Sequence, residues 1–235
     1  MIYQAHIFGS DSKLKRPNFR YAPTVSLDFG ECLLKFKNPD HTAMYPINVF
    51  PESFNIYDEK HYERQATGDY ANKFYERGWR LFGKGNKSRG GIGVTGRIFY
   101  FPDEYKEGID FYDKSCFTNI LLFICHESWG FQNKGASLGS LGEGSYKYPI
   151  KQADFSVTTI NDNTWFRFSA GIDGRPPEIG FATHLSPKHM LYFEFTLEAY
   201  RGLDFYSPET NMKEAAFGVV DEFMSHVEIS RNGTA

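Results

Sequence analysis

Two glycine-rich stretches carry the spacing of phosphate-binding loops. GIGVTG at 91–96 fits the dinucleotide pattern GxGxxG, and GWRLFGK at 78–84 fits the nucleoside-triphosphate pattern GxxxxGK. Such a loop must lie between a strand and a helix, so that backbone amides and the helix dipole meet the phosphates. The strand-like RIFYF follows the first stretch, and Gly85 stands where the second requires a Ser or Thr for magnesium. We therefore predict no nucleotide site and no other cofactor.

The segment CHES at 125–128 places a thiol, an imidazole, a carboxylate and a hydroxyl side by side. Neighbours on a helix point in different directions, whereas a nucleophile and its base must converge in space, so the segment predicts no catalytic triad. His126 and His226 would be metal ligands only if two helices brought them together. A histidine on a helix flank, satisfied by water, is the favoured interpretation, and we predict no metal site.

The sequence contains Cys32, Cys116 and Cys125, an odd number without CxxC spacing. This pattern argues against a disulfide framework and against a zinc site. We predict free thiols that are mainly buried.

Two similar stretches, YKEGIDFYDK at 105–114 and YRGLDFYSPE at 200–209, each precede a candidate helix. A duplicated active site would use Asp110 and Asp204 as matched acids. In the structural alternative, glycine permits a turn, the aspartate accepts hydrogen bonds from nearby amides, and Phe and Tyr pack beneath the following helix. We favour the structural interpretation and predict no catalytic residue. The 29 acidic residues still allow other carboxylate pairs of the glycosidase kind.

Composition excludes several classes of partner. The chain has 235 residues and a formal net charge of −3, which gives no overall attraction to nucleic acid or anionic membranes, because phosphate affinity comes from clustered Lys and Arg. The longest apolar run, ILLFIC at 120–125, is far shorter than the roughly 20 residues of a membrane span. The first residues, MIYQAHIFGSDSKLKRP, lack the features of a signal peptide. We therefore expect a soluble, cytoplasmic protein.

One predicted loop is locally basic. It contains Lys84, Lys87 and Arg89 between two predicted strands, and Arg97 follows within the second of them. A solvated hairpin tip is favoured over contact with an anion or an acidic partner.

Hydrophobic periodicity predicts mainly strands, with a few helices. The alternating TVSLDF and CLLKFK form a hairpin, WRLF and GVTGRIFYF form a strand pair, DFSVTTI and TWFRFSA flank an NDN turn, and EIGFATHL and MLYFEFTLE follow as strands. Tyr62, Ala66, Tyr70 and Phe74 recur every four residues and predict a helix over 59–76.

Two further helices are predicted at equivalent places, each after an alternating strand and a DFY stretch. One begins near Asp113 or Ser115, and the other begins with Ser207 as N-cap and Pro208 in the first turn and runs to Ser230. Their residues align at a fixed offset, which predicts an internal repeat: Phe117 with Phe217, Ile120 with Val220, Phe123 with Phe223, Ile124 with Met224, and His126 with His226.

The stretch GFQNKGASLGSLGEGS at 130–145 is rich in Gly and Ser and resembles a flexible linker. We predict an N-terminal α+β lobe at 1–130, a linker at 131–146 and a C-terminal α+β lobe at 147–235. Each lobe would be a twisted antiparallel sheet packed by a C-terminal amphipathic helix. The alternative is a single β-sandwich with peripheral helices.

The two strand-helix ends, with helices FTNILLFICHESW and FGVVDEFMSHVEIS, resemble the Mog1/PsbP-like sandwich. In paired form they resemble two-lobed immunity proteins of bacterial toxin delivery systems. The resemblance covers about a third of the chain and implies a partner protein, a toxin or an effector, but it assigns no functional residue. Immunity proteins of the phospholipase type are typically exported, and this chain shows no export signal.

The leading hypothesis is a non-enzymatic protein-binding module, an immunity or adaptor protein that neutralises or carries a partner protein. The alternative is a carbohydrate-active or carbohydrate-binding β-rich protein, in which exposed Trp or Tyr side chains stack on sugars beside two acids. Burial of every Trp would argue against that alternative. A structural or assembly subunit is a third hypothesis, and the sequence assigns no oligomeric state.

Overall fold

The computed structural model of the chain is an α+β protein with two antiparallel sheets and two α-helices among the residues it describes. The described residues are 14–43, 47, 53–65, 69–103, 107–136, 146–200 and 202–231. This architecture confirms the predicted fold class of helices packed on antiparallel sheets.

The strands of the described chain are β1 (Thr24–Asp28), β2 (Cys32–Lys37), β3 (Glu63–Arg64), β4 (Tyr70–Phe82), β5 (Ser88–Tyr100), β6 (Ser156–Ile160), β7 (Asn163–Ala170), β8 (Glu178–His184), β9 (His189–Ala199) and β10 (Glu228–Arg231). Helix α1 (Lys114–Ala136) lies between β5 and β6, and helix α2 (Met212–Ser225) lies between β9 and β10. The smaller sheet has the order β1-β2-β10, and the larger has the order β3-β4-β5-β9-β8-β7-β6.

The larger sheet crosses the predicted domain boundary. Strands β5 and β9 pair without interruption from Gly90 opposite Ala199 to Tyr100 opposite His189. Residues 131–136 of the predicted linker belong to helix α1, and residues 137–145 lie outside the described residues. The two predicted lobes therefore share one sheet.

The two helices pack on opposite faces of this sheet. Strand β9 shows why, because its alternating residues supply both cores: Leu191 and Phe193 belong to one apolar cluster, and Met190 and Tyr192 belong to the other. Phe223 of α2 lies 5.4 Å, between ring centroids, from Phe193 in the first cluster. In the second cluster, α1 supplies Phe117, Leu121 and other buried side chains.

The helix predicted over 59–76 is wrong. Residues Glu59–His61 form a short 3-10 helix, and β3 and β4 follow. A spacing of four residues is a multiple of two, so Tyr70 and Phe74 also share one face of a strand, and both pack against the core of the α2 side. An irregularity in register after Lys73 then brings Tyr75 to that core as well.

The last helix is shorter than predicted at both ends. Ser207 opens a turn closed by the hydrogen bond from Thr210 N to Ser207 O at 3.1 Å, and the helix begins after Asn211, which has a left-handed φ of 50°. It ends at Ser225, and Glu228–Arg231 pairs with β2 instead. The other strand pairs named above are confirmed, and so is the helix predicted to begin near Asp113 or Ser115, although it continues to Ala136, inside the predicted linker.

Candidate functional site

A groove of about 1480 Å3 runs beside helix α2, along the β6 edge of the large sheet. Its floor is the part of the sheet face that α2 leaves uncovered, with Ser156 and Thr158 of β6, Arg167 and Ser169 of β7, and Phe181 of β8. Register explains this set, because Ser156 pairs with Arg167, which pairs in turn with Phe181, and directly opposed residues share a face.

The walls of the groove come from two other elements. Phe217 and Asp221 are four residues apart and therefore project from the same side of α2. The far wall is the loop 171–177 together with Asp204 and Tyr206 of the second DFY turn. The Tyr206 hydroxyl donates a hydrogen bond of 2.9 Å to Arg175 O, which ties the turn to the loop. Partial burial and the nearby charge of Asp173 raise the pKa of Tyr206.

Arg167 occupies the centre of the groove and is held by aromatic rings. Its Cζ atom lies 5.4 Å from the ring centroid of Phe181 and 6.0 Å from that of Phe217, both within the range of cation–π contacts. Its Nη1 atom lies 3.6 Å from Asp221 Oδ1. That separation is longer than the roughly 2.7–2.9 Å of a charge-assisted hydrogen bond. Asp221 thus offsets the charge of Arg167 without satisfying its N–H groups.

Strand β6 forms one edge of the large sheet and exposes its outer side. The turn at Asn161 and Asp162 has φ of 45° and 63°, the geometry of a two-residue hairpin whose flanking residues, Ile160 and Asn163, exchange both hydrogen bonds. Because hydrogen-bonded and non-hydrogen-bonded pairs alternate in an antiparallel ladder, the backbone N–H and C=O groups of Val157 and Thr159 point outward. Within the described chain, no strand pairs with that side of β6.

The opposite edge of the sheet is covered, whereas no other described strand covers β6. Outermost strand β3 is two residues long and both are charged, while Thr42 and Ala43 donate backbone hydrogen bonds to Gly78 O of β4. Short or charged edge strands and covering loops are the usual protection against unwanted pairing. The sequence of β6, SVTTI, has no charge and no proline, and the side chain of Val157 is exposed. Strand β6 is therefore a ready template for another strand.

A second cluster of polar groups surrounds the buried side chain of His189 and reaches the surface at Tyr57 and Glu31. His189 Nδ1 lies 2.7 Å from Ser186 Oγ, and its ring stacks on Tyr100 at 4.8 Å between centroids. The edge of the ring also meets Tyr57, whose hydroxyl donates a hydrogen bond of 2.7 Å to Glu31 Oε2. The sequence analysis missed this cluster, although the Ser-x-x-His spacing at the β8–β9 turn was a visible signal.

A third cluster contains two glutamates on the α1 side of the sheet. The Trp129 indole N–H donates a hydrogen bond of 2.6 Å to Glu178 Oε2, which fixes the end of α1 on β8. Partial burial, with a contribution from the charge of Glu194, raises the pKa of Glu178. Glu194 itself pairs with Arg97 at 3.1 Å. Both carboxylates therefore have structural partners.

The sequence motifs occupy structural positions. GIGVTG lies wholly within β5, so it neither leaves a strand nor opens a helix. Arg97 lies within β5 and not in the basic hairpin tip, whereas Lys84 and Lys87 are exposed at that tip. Cys125 of the CHES segment is buried, and burial raises the pKa of its thiol. Cys32 is buried as well, and Cys116 is partly buried.

The two helix histidines do not meet. His126 Nδ1 lies 3.0 Å from the Tyr148 hydroxyl on the α1 side, whereas His226 stacks on Phe19 in the core of the α2 side. Among the described residues, no group of three or more His, Cys, Asp or Glu side chains has the arrangement of a metal site.

The two DFY turns share the same local geometry. Asp110 Oδ1 accepts a hydrogen bond of 2.9 Å from Tyr112 N, and Asp204 Oδ1 accepts one of 2.9 Å from Tyr206 N. The glycine before each aspartate has a positive φ, 79° at Gly108 and 86° at Gly202. In each turn the phenylalanine is buried and the tyrosine is exposed, so only the phenylalanine packs inward as predicted.

The tryptophans offer no platform for a sugar ring. Trp79 and Trp165 are 0% exposed, and Trp129 is 5% exposed. Stacking on carbohydrate requires an accessible aromatic face, so no tryptophan supports the carbohydrate alternative.

No protein-family model matches the chain, and neither the curated proteins nor the solved structures contain a significantly similar protein. Helices α1 and α2, as described, lack the combination of length and apolarity that a membrane span requires.

Proposed function

We propose that this chain is a non-enzymatic protein-binding module that holds an extended segment of a partner protein against strand β6. The observation that carries the proposal is edge strand β6, which borders the groove and whose outer side pairs with no other strand among the described residues. Strand addition of this kind draws affinity from main-chain hydrogen bonds and specificity from pockets for alternate side chains. Val157 and Thr159 supply the main-chain groups, and the groove supplies the pocket.

An immunity or adaptor role is the biological form of this proposal. A segment of a toxin or effector that is held in the groove is kept from its own target, or is carried with this chain to another site. The size of the groove supports such a role, because a volume of about 1480 Å3 accommodates several side chains.

A proline at position 157 tests the proposal directly. Val157→Pro removes one outward N–H group but leaves the β6–β7 hydrogen bonds intact, because the N–H of Val157 does not point toward β7. Val157→Thr is the matched control, since threonine keeps the N–H and a high strand propensity. Thermal denaturation of both variants shows whether the fold is retained.

The readout combines capture with hydrogen exchange. Tagged wild-type chain and Val157→Thr should recover the same stoichiometric protein from a lysate of the native host, above all the product of an adjacent gene, and Val157→Pro should not. In the recovered complex, the amides of Val157 and Thr159 should exchange more slowly than in the free chain. A complex that forms equally well with Val157→Pro, or that leaves these amides unprotected, would refute strand addition.

A further inference from the structure

The guanidinium of Arg167 is held in place but has unused hydrogen-bonding capacity. Two rings contact it, from Phe181 on the floor and Phe217 on the wall. Among the described residues, no oxygen accepts a hydrogen bond from its N–H groups, and Asp221 remains at 3.6 Å. An arginine side chain presents five N–H donors in a planar fork that matches a carboxylate. Stacking reduces the entropy that the side chain loses when it binds such a group.

The surrounding charges narrow the class of ligand. The groove is also lined by Asp154, Asp173, Asp204 and Asp221, which outnumber its three bases, Arg167, Lys147 and Arg175. These carboxylates would repel a polyanion such as a nucleic acid or a run of acidic residues. A single carboxylate on an otherwise neutral segment meets Arg167 without that penalty.

Three of the four aspartates of the groove are engaged with other groups. Asp173 pairs with Lys147 at 2.6 Å, Asp204 accepts the Tyr206 amide, and Asp154 Oδ2 accepts the amides of Ile150 and Lys151 at 3.0 and 3.1 Å. Asp221 is the acid nearest to Arg167 and is more than half exposed. An incoming carboxylate therefore competes with Asp221 alone for the guanidinium.

We propose that the partner segment carries an acidic side chain, aspartate or glutamate, that enters the groove and forms a bidentate pair with Arg167. This inference rests on the proposed function, because the segment bound along β6 is what delivers the side chain. Arg167 then determines specificity, and the Phe181 and Phe217 rings position it. In the absence of the partner, Asp221 offsets the positive charge of Arg167.

The test uses a displayed library of random nonapeptides, selected on the purified full chain. The selected peptides should contain one Asp or Glu at a common position among uncharged residues. In synthetic versions, changing that Glu to Gln should weaken binding to wild type about tenfold or more, the value of a hydrogen bond to a charged group. In Arg167→Gln the Glu and Gln peptides should bind equally, which closes a double-mutant cycle.

Asp221→Asn separates recognition from a structural role of the ion pair. Removal of the competitor should tighten binding of the Glu peptide, whereas Arg167→Gln should weaken it. If the pair only maintained the fold of the groove, both variants would weaken binding. Arg20→Gln is the matched control, because it removes the same charge from an exposed arginine stacked on Tyr21, outside the groove.

The outcomes separate the two proposals. Peptides that require the Val157 N–H but show no acidic preference, or keep that preference in Arg167→Gln, overturn the role of Arg167 and leave strand addition standing. Peptides that bind Val157→Pro as well as wild type refute strand addition. Tighter binding of a nonapeptide of aspartates than of single-acid peptides would show that the groove selects polyanions, which also overturns the inference.

Discussion

Ser186 Oγ lies 2.7 Å from His189 Nδ1, with both residues buried in the turn between β8 and β9. The same oxygen accepts the backbone amides of Lys188 and His189, each at 3.2 Å. Because these two amides occupy the acceptor sites of the oxygen, the Ser186 hydroxyl can only donate its proton to His189. His189 Nδ1 therefore accepts this hydrogen bond, and the ring carries its own proton on Nε2. Burial favours the neutral imidazole, and the Ser186 hydroxyl is itself buried.

Burial of His189 makes the protein sensitive to acid. Burial lowers the pKa of His189 from its ordinary 6.5 to about 4. Its contribution to the free energy of unfolding is complete above the unfolded pKa and is lost as the pH falls from 6.5 toward 4, because only the unfolded chain then binds the proton. The loss amounts to as much as about 3 kcal/mol.

Urea denaturation at a series of pH values measures this contribution. His189→Phe should lower stability overall and flatten the pH dependence in that interval, whereas the exposed control His126→Gln should retain the wild-type slope. An unchanged slope in His189→Phe would contradict the prediction.

The paired DFY turns should depend on their aspartates for stability. Asp110→Ala and Asp204→Ala should each lower the free energy of unfolding by about 1 kcal/mol, because each removes an acceptor for a backbone amide. Asp→Asn at either position keeps the Oδ1 acceptor and should restore most of the loss. Thermal denaturation, with the exposed Asp40→Ala as control, checks the prediction. If either alanine variant kept full stability but lost a biochemical activity of the protein, a catalytic role of these aspartates would be supported instead.

Two substitutions of Glu178, the acceptor of the Trp129 hydrogen bond, should affect stability differently. Because the pKa of Glu178 is raised, the folded chain holds its proton more tightly than the unfolded chain, and ionisation lowers stability as the pH rises through the raised pKa. Glu178→Gln keeps an acceptor for Trp129 without the charge, so its stability relative to wild type should increase with pH.

Glu178→Ala should instead cost about 1–3 kcal/mol, because the buried indole N–H loses its partner. Urea denaturation at pH 4 and pH 8 distinguishes the two variants. A relative stability of Glu178→Gln that does not change with pH would contradict the sign of the pKa shift.

Gly96, the last glycine of GIGVTG, allows two aromatic rings to pack closely against strand β5. A Cβ atom there would lie 2.7 Å from Phe74 Cζ and 3.0 Å from Phe193 Cε1. Gly96→Ala should therefore lower the free energy of unfolding by about 1–3 kcal/mol through overpacking. Thermal denaturation should show the loss, while Thr95→Ala, on the partly exposed opposite face, should have a smaller effect. Wild-type stability in Gly96→Ala would show that the two rings move aside freely.

Local chemistry made much of the fold predictable from the sequence. The alternation in MLYFEFTLE defines β9, the Asn161–Asp162 turn defines the β6–β7 hairpin, and the Gly and Asp of each DFY stretch define two matching turns. Each of these signals acts over a few residues. The helix expected over 59–76 failed because a period of four residues fits a strand face as well as a helix face.

The candidate site could not be predicted from local sequence patterns, because its residues come from segments that are far apart in the chain. Ser156, Arg167 and Phe217 are adjacent only because β6, β7 and α2 meet on one face of the sheet. The missed His189 cluster likewise joins the β8–β9 turn to Glu31 and Tyr57. The residue types alone predict none of these contacts, because each contact depends on which strands become neighbours in the sheet.

By itself, the sequence determined the strands, the hairpins and the two amphipathic helices, because hydrophobic periodicity and turn chemistry act between near neighbours. Only the tertiary structure decided that β5 pairs with β9, which merges the predicted lobes into one sheet. It also placed α1 and α2 on opposite faces and, within the described part of the chain, left the outer side of β6 without a partner strand. The reason is physical: strand pairing and burial are interactions between segments far apart in the chain, and alternative pairings of the same strands satisfy the local pattern equally well.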